Sequence, residues 1–225
     1  MAAIIRAGLA RMYADDESVF YYLTLYNENY VMPPRPEGVT DADITDGLYR
    51  WAPPPDGLDS QVTILFSGSA QGAARDAQAA LAAEHGIGAE LWSATSYKRL
   101  REDALSAERR NRLHPGAEPE EAPVTAKLST SAGPIVAVTD FLKAVPDQIA
   151  RFVPGGRAFV PLGTDGFGRS DTRAALRRFF ETDAAHVEIA ALAALADQGS
   201  VEPSAVAKAI ARHGVDPDTA DPRTR

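Results

Sequence analysis

Residues 162–173, LGTDGFGRSDTR, concentrate groups that could do chemistry. Gly163, Gly166 and Gly168 permit backbone angles that a side chain forbids. A helical pattern starts near Asp171, and N–H groups at a helix start can hold an anion. Ser170 or Asp171 would cap that helix by accepting its orphan N–H groups. The spacing is not G-x-G-x-x-G, and no acidic ribose-binding residue follows. A structural turn that also forms an interface is therefore the plainer reading. Ser67 and Gly68 raise the same possibility after an apolar run, where an open α/β sheet can switch strand order. A tight turn with a helix cap is the plainer reading there too. His85, His114, His186 and His213 are scattered, with no H-x-x-x-H spacing. His85 precedes a helix-ending glycine, where a cation suits the helix dipole. His114, before Pro115, could reach an active-site rim or simply hold a loop. Asn27, Glu28 and Asn29 could offer oxygen ligands to a cation, or satisfy a turn. The candidates for an anion site or an entrance are Ser67, Gly68, His114, Gly166, Gly168 and Arg169. No residue is assigned to catalysis, cofactor binding or metal binding.

These residues need elements to position them. Apolar spacing predicts a helix over 4–13. The aromatic run VFYYLTLY at 19–26 reads as a strand covered on both faces. Prolines 33, 34 and 36 then exclude helix and central strand, so residues 31–60 read as a linker, with a short helix or turn over 41–51. Strands are expected at 62–66, 89–95, 135–140 and 158–162. Helices are expected at 70–85, 141–152, 171–180, 186–197 and 203–213, a heavily charged helical or irregular stretch at 97–113, and a polar tail from 216. Alternating strands and helices predict a three-layer α/β/α unit, its mainly parallel sheet holding about five strands.

The chain has 225 residues, of which 45% are hydrophobic, enough for a packed core. Its net charge of −8 argues against general nucleic-acid binding. The lack of cysteine removes thiolate chemistry, disulfides and cysteine metal sites together. There is no signal-peptide layout and no apolar run long enough to span a bilayer. A soluble cytoplasmic protein is the expectation.

Many short motifs in order carry a resemblance over essentially the whole chain. Arg11-Met12-Tyr13, Phe20 to Thr24, Asn27 to Tyr30 and Met32-Pro33 resemble the end of the pyrimidine-binding domain of homodimeric bacterial pyruvate dehydrogenases. Ser67-Gly68-Ser69, residues 93–97, Leu113-His114-Pro115, Val138-Thr139-Asp140, Phe152-Val153-Pro154 and the glycine-rich run resemble landmarks of its C-terminal, transketolase-like domain. The resemblance implies a parent enzyme that decarboxylates pyruvate on thiamine diphosphate and Mg²⁺. That enzyme passes acetyl to the lipoyl groups of an acyltransferase core. It also implies residues 1–30 as a remnant of the pyrimidine domain, 31–60 as linker and 61–225 as the transketolase C-terminal-like domain. The family's Gly-Asp-Gly metal motif does not occur here, so neither cofactor is expected on this chain alone. The expected role is support of a homodimer and of the substrate entrance, with upstream thiamine-binding domains or a separate subunit as partner. A gene fragment and a split subunit both fit. The alternative is a stand-alone interaction or small-anion-binding module that does no chemistry.

Overall fold

The computed structural model describes residues 1–27, 29 and 32–225. At its centre lies a five-stranded sheet in the order β1-β3-β2-β4-β5. The strands are β1 (Leu48–Ala52), β2 (Ser60–Phe66), β3 (Gly88–Ala94), β4 (Ile135–Val138) and β5 (Phe159–Leu162). β1 runs antiparallel to β3, and every other pairing is parallel. In register, Ile64 of β2 faces Leu91 on one side and Val136 on the other. β5 forms one edge and carries Pro161.

Strand alternation builds two cores. Val62, Ile64 and Phe66 point to one face, where α3 (Gln71–His85), α8 (Ala184–Asp197) and α9 (Pro203–Arg212) pack. Leu65, Trp92, Ile135 and Ala137 point to the other, under α4 (Tyr97–Leu113) and α5 (Pro123–Ser129). Buried Ala74, Ala77 and Leu81 let α3 approach the sheet closely. Gly86 then stops α3 in a left-handed conformation at φ 63°, donating to Ala82 O at 3.1 Å while Ile87 donates to Leu81 O at 3.1 Å. Ser96 caps α4 by accepting from the Arg99 N–H at 3.1 Å.

At the other side of the sheet, Arg157 ties the start of β5 to the loop before β4. It donates to Gly133 O at 2.5 Å, Leu128 O at 2.9 Å, Ala132 O at 2.8 Å and Thr63 Oγ1 at 2.8 Å. One half-buried guanidinium so gathers three carbonyls and a hydroxyl, sharing Leu128 O with Ser131 and Ala132 O with Thr63.

Several expectations need correction. Residues 19–26 form no strand; the segment is extended and pairs with no strand among the described residues. Phe20, Tyr22 and Leu25 are 88%, 85% and 76% exposed, while Tyr21 packs against Gly8 of α1 (Ala2–Leu9). Aromatic β-propensity needs a neighbouring strand to act on, and neither edge strand of this sheet, β1 or β5, pairs with the segment. The expected helix over 4–13 is α1 continued by a π-helical turn, Ala10–Ala14. The stretch 31–60 is not only linker. It holds α2 (Asp41–Thr45), capped reciprocally by Thr40 and Asp43, and β1, which joins the sheet. The expected helix over 141–152 is α6 (Ala144–Asp147) followed by a 3-10 turn, Ala150–Phe152; Pro146 lies within α6 and Pro154 follows the turn. α7 spans Arg173–Phe179, and its cap is Thr172, which accepts from the Ala175 N–H at 3.3 Å. Asp171 instead accepts from the Thr172 N–H at 2.6 Å. Of the residues offered for a turn or cation at 27–29, Glu28 lies outside the described residues.

Candidate binding crevice at the sheet switch point

After β2 the chain moves to one side of that strand to form β3, and later to the other side to form β4. The carboxyl ends of β2 and β4 therefore flank a switch point, the place where open α/β sheets leave a crevice. Ser67 and Thr139 lie on its floor, both buried, with hydroxyls 2.7 Å apart. Asp140 follows and aims its carboxylate across the opening. Its Oδ1 accepts from the Tyr26 hydroxyl at 2.9 Å, and its Oδ2 accepts from Ser69 Oγ at 3.2 Å. Its carbonyl accepts from Thr164 Oγ1 at 2.7 Å, tying the crevice to the glycine-rich turn. Gly68 holds φ +54°, and a Cβ there would meet the Tyr26 ring at 2.9 Å. Arg173, opening α7, donates to Asn27 Oδ1 at 2.7 Å. Sequence reasoning singled out Ser67 and Gly68 but missed Asp140 and Tyr26, whose meeting spans 114 positions.

The glycine-rich turn makes different contacts. Gly163 lies so near the Phe141 carbonyl that a Cβ would stand 2.5 Å from it. Gly166 takes φ +97° and faces the C-terminal tail, where a Cβ would stand 2.8 Å from Pro222 O. Gly168 has open space around it and no positive φ. Arg169 donates to the Arg225 carbonyl, and both guanidiniums stack on Phe179, at 5.0 and 4.3 Å. The tail thus sits on this turn. His114 is exposed at the far end of α4, roughly 25 Å along the helix from its start.

A second polar constellation escaped the sequence reading. Glu188, 1% exposed on the packed face of α8, accepts from His85 Nε2 at 2.9 Å and His213 Nε2 at 2.9 Å, and pairs with Arg212. Burial pushes its pKa up, but the hydrogen bonds of His213 and His85 and the charge of Arg212 outweigh this and hold it below the ordinary value. The signal was present: one acid inside the apolar run that forms α8. At the start of that helix, burial likewise works against ionised Asp183, yet His186 and Arg178 hold its pKa down. Among the described residues no group of three or more His, Cys, Asp or Glu could hold a metal ion. No helix among the described residues is long and apolar enough to cross a membrane.

Comparison with known proteins fits this geometry. Residues 47–183 match the family model of the transketolase-like TK C-terminal domain, and residues 1–33 match that of the pyruvate dehydrogenase E1 component middle domain. A pyruvate dehydrogenase E1 component from Pseudomonas aeruginosa is 43% identical over 99% of this chain and 25% of its own length. One from Escherichia coli is 42% identical, again over 99% of this chain and 25% of its own. The chain thus spans about a quarter of the length of these curated relatives. A solved transketolase from Leishmania mexicana aligns at TM-score 0.47 and 21% identity, covering 70% of this chain and 19% of that one.

Proposed function

This chain belongs to the transketolase-like TK C-terminal domain family and matches the C-terminal part of bacterial pyruvate dehydrogenase E1 components; on that premise we propose that it is the supporting domain of such an enzyme. The whole enzyme, in this reading, is a cytoplasmic homodimer that decarboxylates pyruvate on thiamine diphosphate with Mg²⁺ and hands acetyl to lipoyl groups of an acyltransferase core. The cofactors belong to the domains that precede this one in the relatives, and no step of the chemistry is assigned to a residue here. This chain's share is to hold the dimer and shape the substrate entrance, with Ser67, Gly68, His114, Gly166, Gly168 and Arg169 as candidates for the rim. Residues 1–33 are the end of the middle domain.

The observation that carries the reading is the order of the two family matches along one chain, backed by identity running through both. The test is complementation. The upstream three quarters of the Pseudomonas aeruginosa relative would be expressed alone and together with this chain, and pyruvate-dependent CO₂ release measured. The expected result is co-purification and a rise in activity only when both are present. An upstream part that ignores this chain, under conditions where its own C-terminal quarter restores activity, overturns the proposal.

A further inference from the structure

We propose that the switch-point crevice is a seat for an extended aromatic segment, that its occupant is this chain's own N-terminal arm, residues 21–27, and that Tyr26 is the anchor. The inference rests on contacts within the chain and on no assignment of activity. A carboxylate projects into the crevice, and both of its oxygens accept from hydroxyls, those of Tyr26 and Ser69. That chemistry takes hydrogen-bond donors such as a phenol and repels an anion. Gly68 supplies the room: its missing Cβ and positive φ let the backbone run against the phenol ring. Asn27, held by Arg173, fixes the arm one residue further on. Along the arm, Tyr21 and Tyr26 turn inward, whereas Phe20, Tyr22 and Leu25 face out. Tyr22 carries the same phenol and is 85% exposed, which makes it an internal control.

Limited chymotrypsin digestion of the full chain tests this, with cleavage after Phe20 followed by mass spectrometry and global stability by urea unfolding. Tyr26→Ala is expected to speed that cleavage about tenfold, by loss of a hydrogen bond to a charged acceptor. Tyr26→Phe, which keeps the ring, should act in the same direction, and Tyr22→Ala should leave the rate unchanged. Gly68→Ala should reproduce the Tyr26→Ala effect, and the double variant should add nothing to either. Tyr26→Ala, Tyr26→Phe and Tyr22→Ala should keep the parent's urea midpoint for the sheet, whereas Gly68→Ala, strained at φ +54°, should lower it somewhat. Arm cleavage that stays at the parent rate in Tyr26→Ala and Gly68→Ala overturns the seat. Protection that disappears on dilution also overturns the proposal, because the arm in the crevice would then be a second copy's.

Discussion

Replacing Glu188 tests whether one buried carboxylate fastens the last two long helices to the sheet. Its partners come from two elements: His85 from the end of α3, and Arg212 and His213 from the end of α9. Truncating one member of a buried ionic cluster costs about 3–5 kcal/mol when the others stay buried. Here His85 is 12% exposed, but His213 and Arg212 are 27% and 34% exposed and can turn toward water. The lower end of that range applies, so Glu188→Ala should cost about 3 kcal/mol. For a chain of this size that is a fall of roughly 6–12 °C in Tm. Glu188→Gln keeps shape and part of the hydrogen bonding and should cost about 2 kcal/mol. The pH dependence has a fixed sign. A carboxylate whose folded pKa lies below its unfolded value contributes stability above the unfolded pKa, and loses it as pH falls through the folded one. Urea unfolding followed by far-ultraviolet circular dichroism, from about pH 7 to about pH 3, should show the parent losing more stability on acidification than Glu188→Gln does. A loss below about 1 kcal/mol for Glu188→Ala, or parallel pH curves for parent and Glu188→Gln, would refute the reasoning and leave the cluster a solvated surface feature.

Five further variants follow from local geometry. Thr172→Ala should cost about 1 kcal/mol, since the Thr172 hydroxyl caps α7, and Asp171→Ala clearly less, as read from denaturant midpoints. Gly166→Val should cost about 2 kcal/mol or more, from its φ of +97° and the close Pro222 carbonyl, whereas Gly168→Val should be nearly silent; equal midpoints would mean that neither constraint operates. Arg157→Lys should cost about 2–3 kcal/mol, because an ammonium cannot reach all the carbonyls that the fork satisfies, and hydrogen exchange should quicken at β4 and β5. A lysine variant as stable as the parent would show that water serves those carbonyls equally well.

What could be read from sequence was what local pattern controls. The apolar runs of β2, β3, β4 and β5 are short, buried and bounded by turn residues, so periodicity found them all within a residue or two. The alanine-rich α3, with Gly86 at its end, was equally plain. β1 was missed because LYRWA shows no clean alternation and sits among prolines; only its antiparallel partner β3 makes it a strand. The aromatic arm failed in the opposite sense, since a strong strand pattern pairs with neither edge of the sheet. The crevice was half legible. Ser67 and Gly68 stood out as a turn, but Asp140 looked like an ordinary residue after a strand until Tyr26 arrived from far away in sequence. Glu188 and its histidines could not be grouped, because three separate helices bring them together only when the core closes.

The proline in β5 bears on how this domain can meet others. Pro161 has no N–H to offer, so the outer rim of β5 lacks one of the donors that an incoming strand would need. Beyond β1, at the opposite rim, residues 53–55 are all proline and block a register that runs on past Ala52. Both borders of the sheet are thus poor templates for strand addition, which protects it from ribbon-like aggregation. The domain can be concentrated inside a large assembly without its sheet growing sideways.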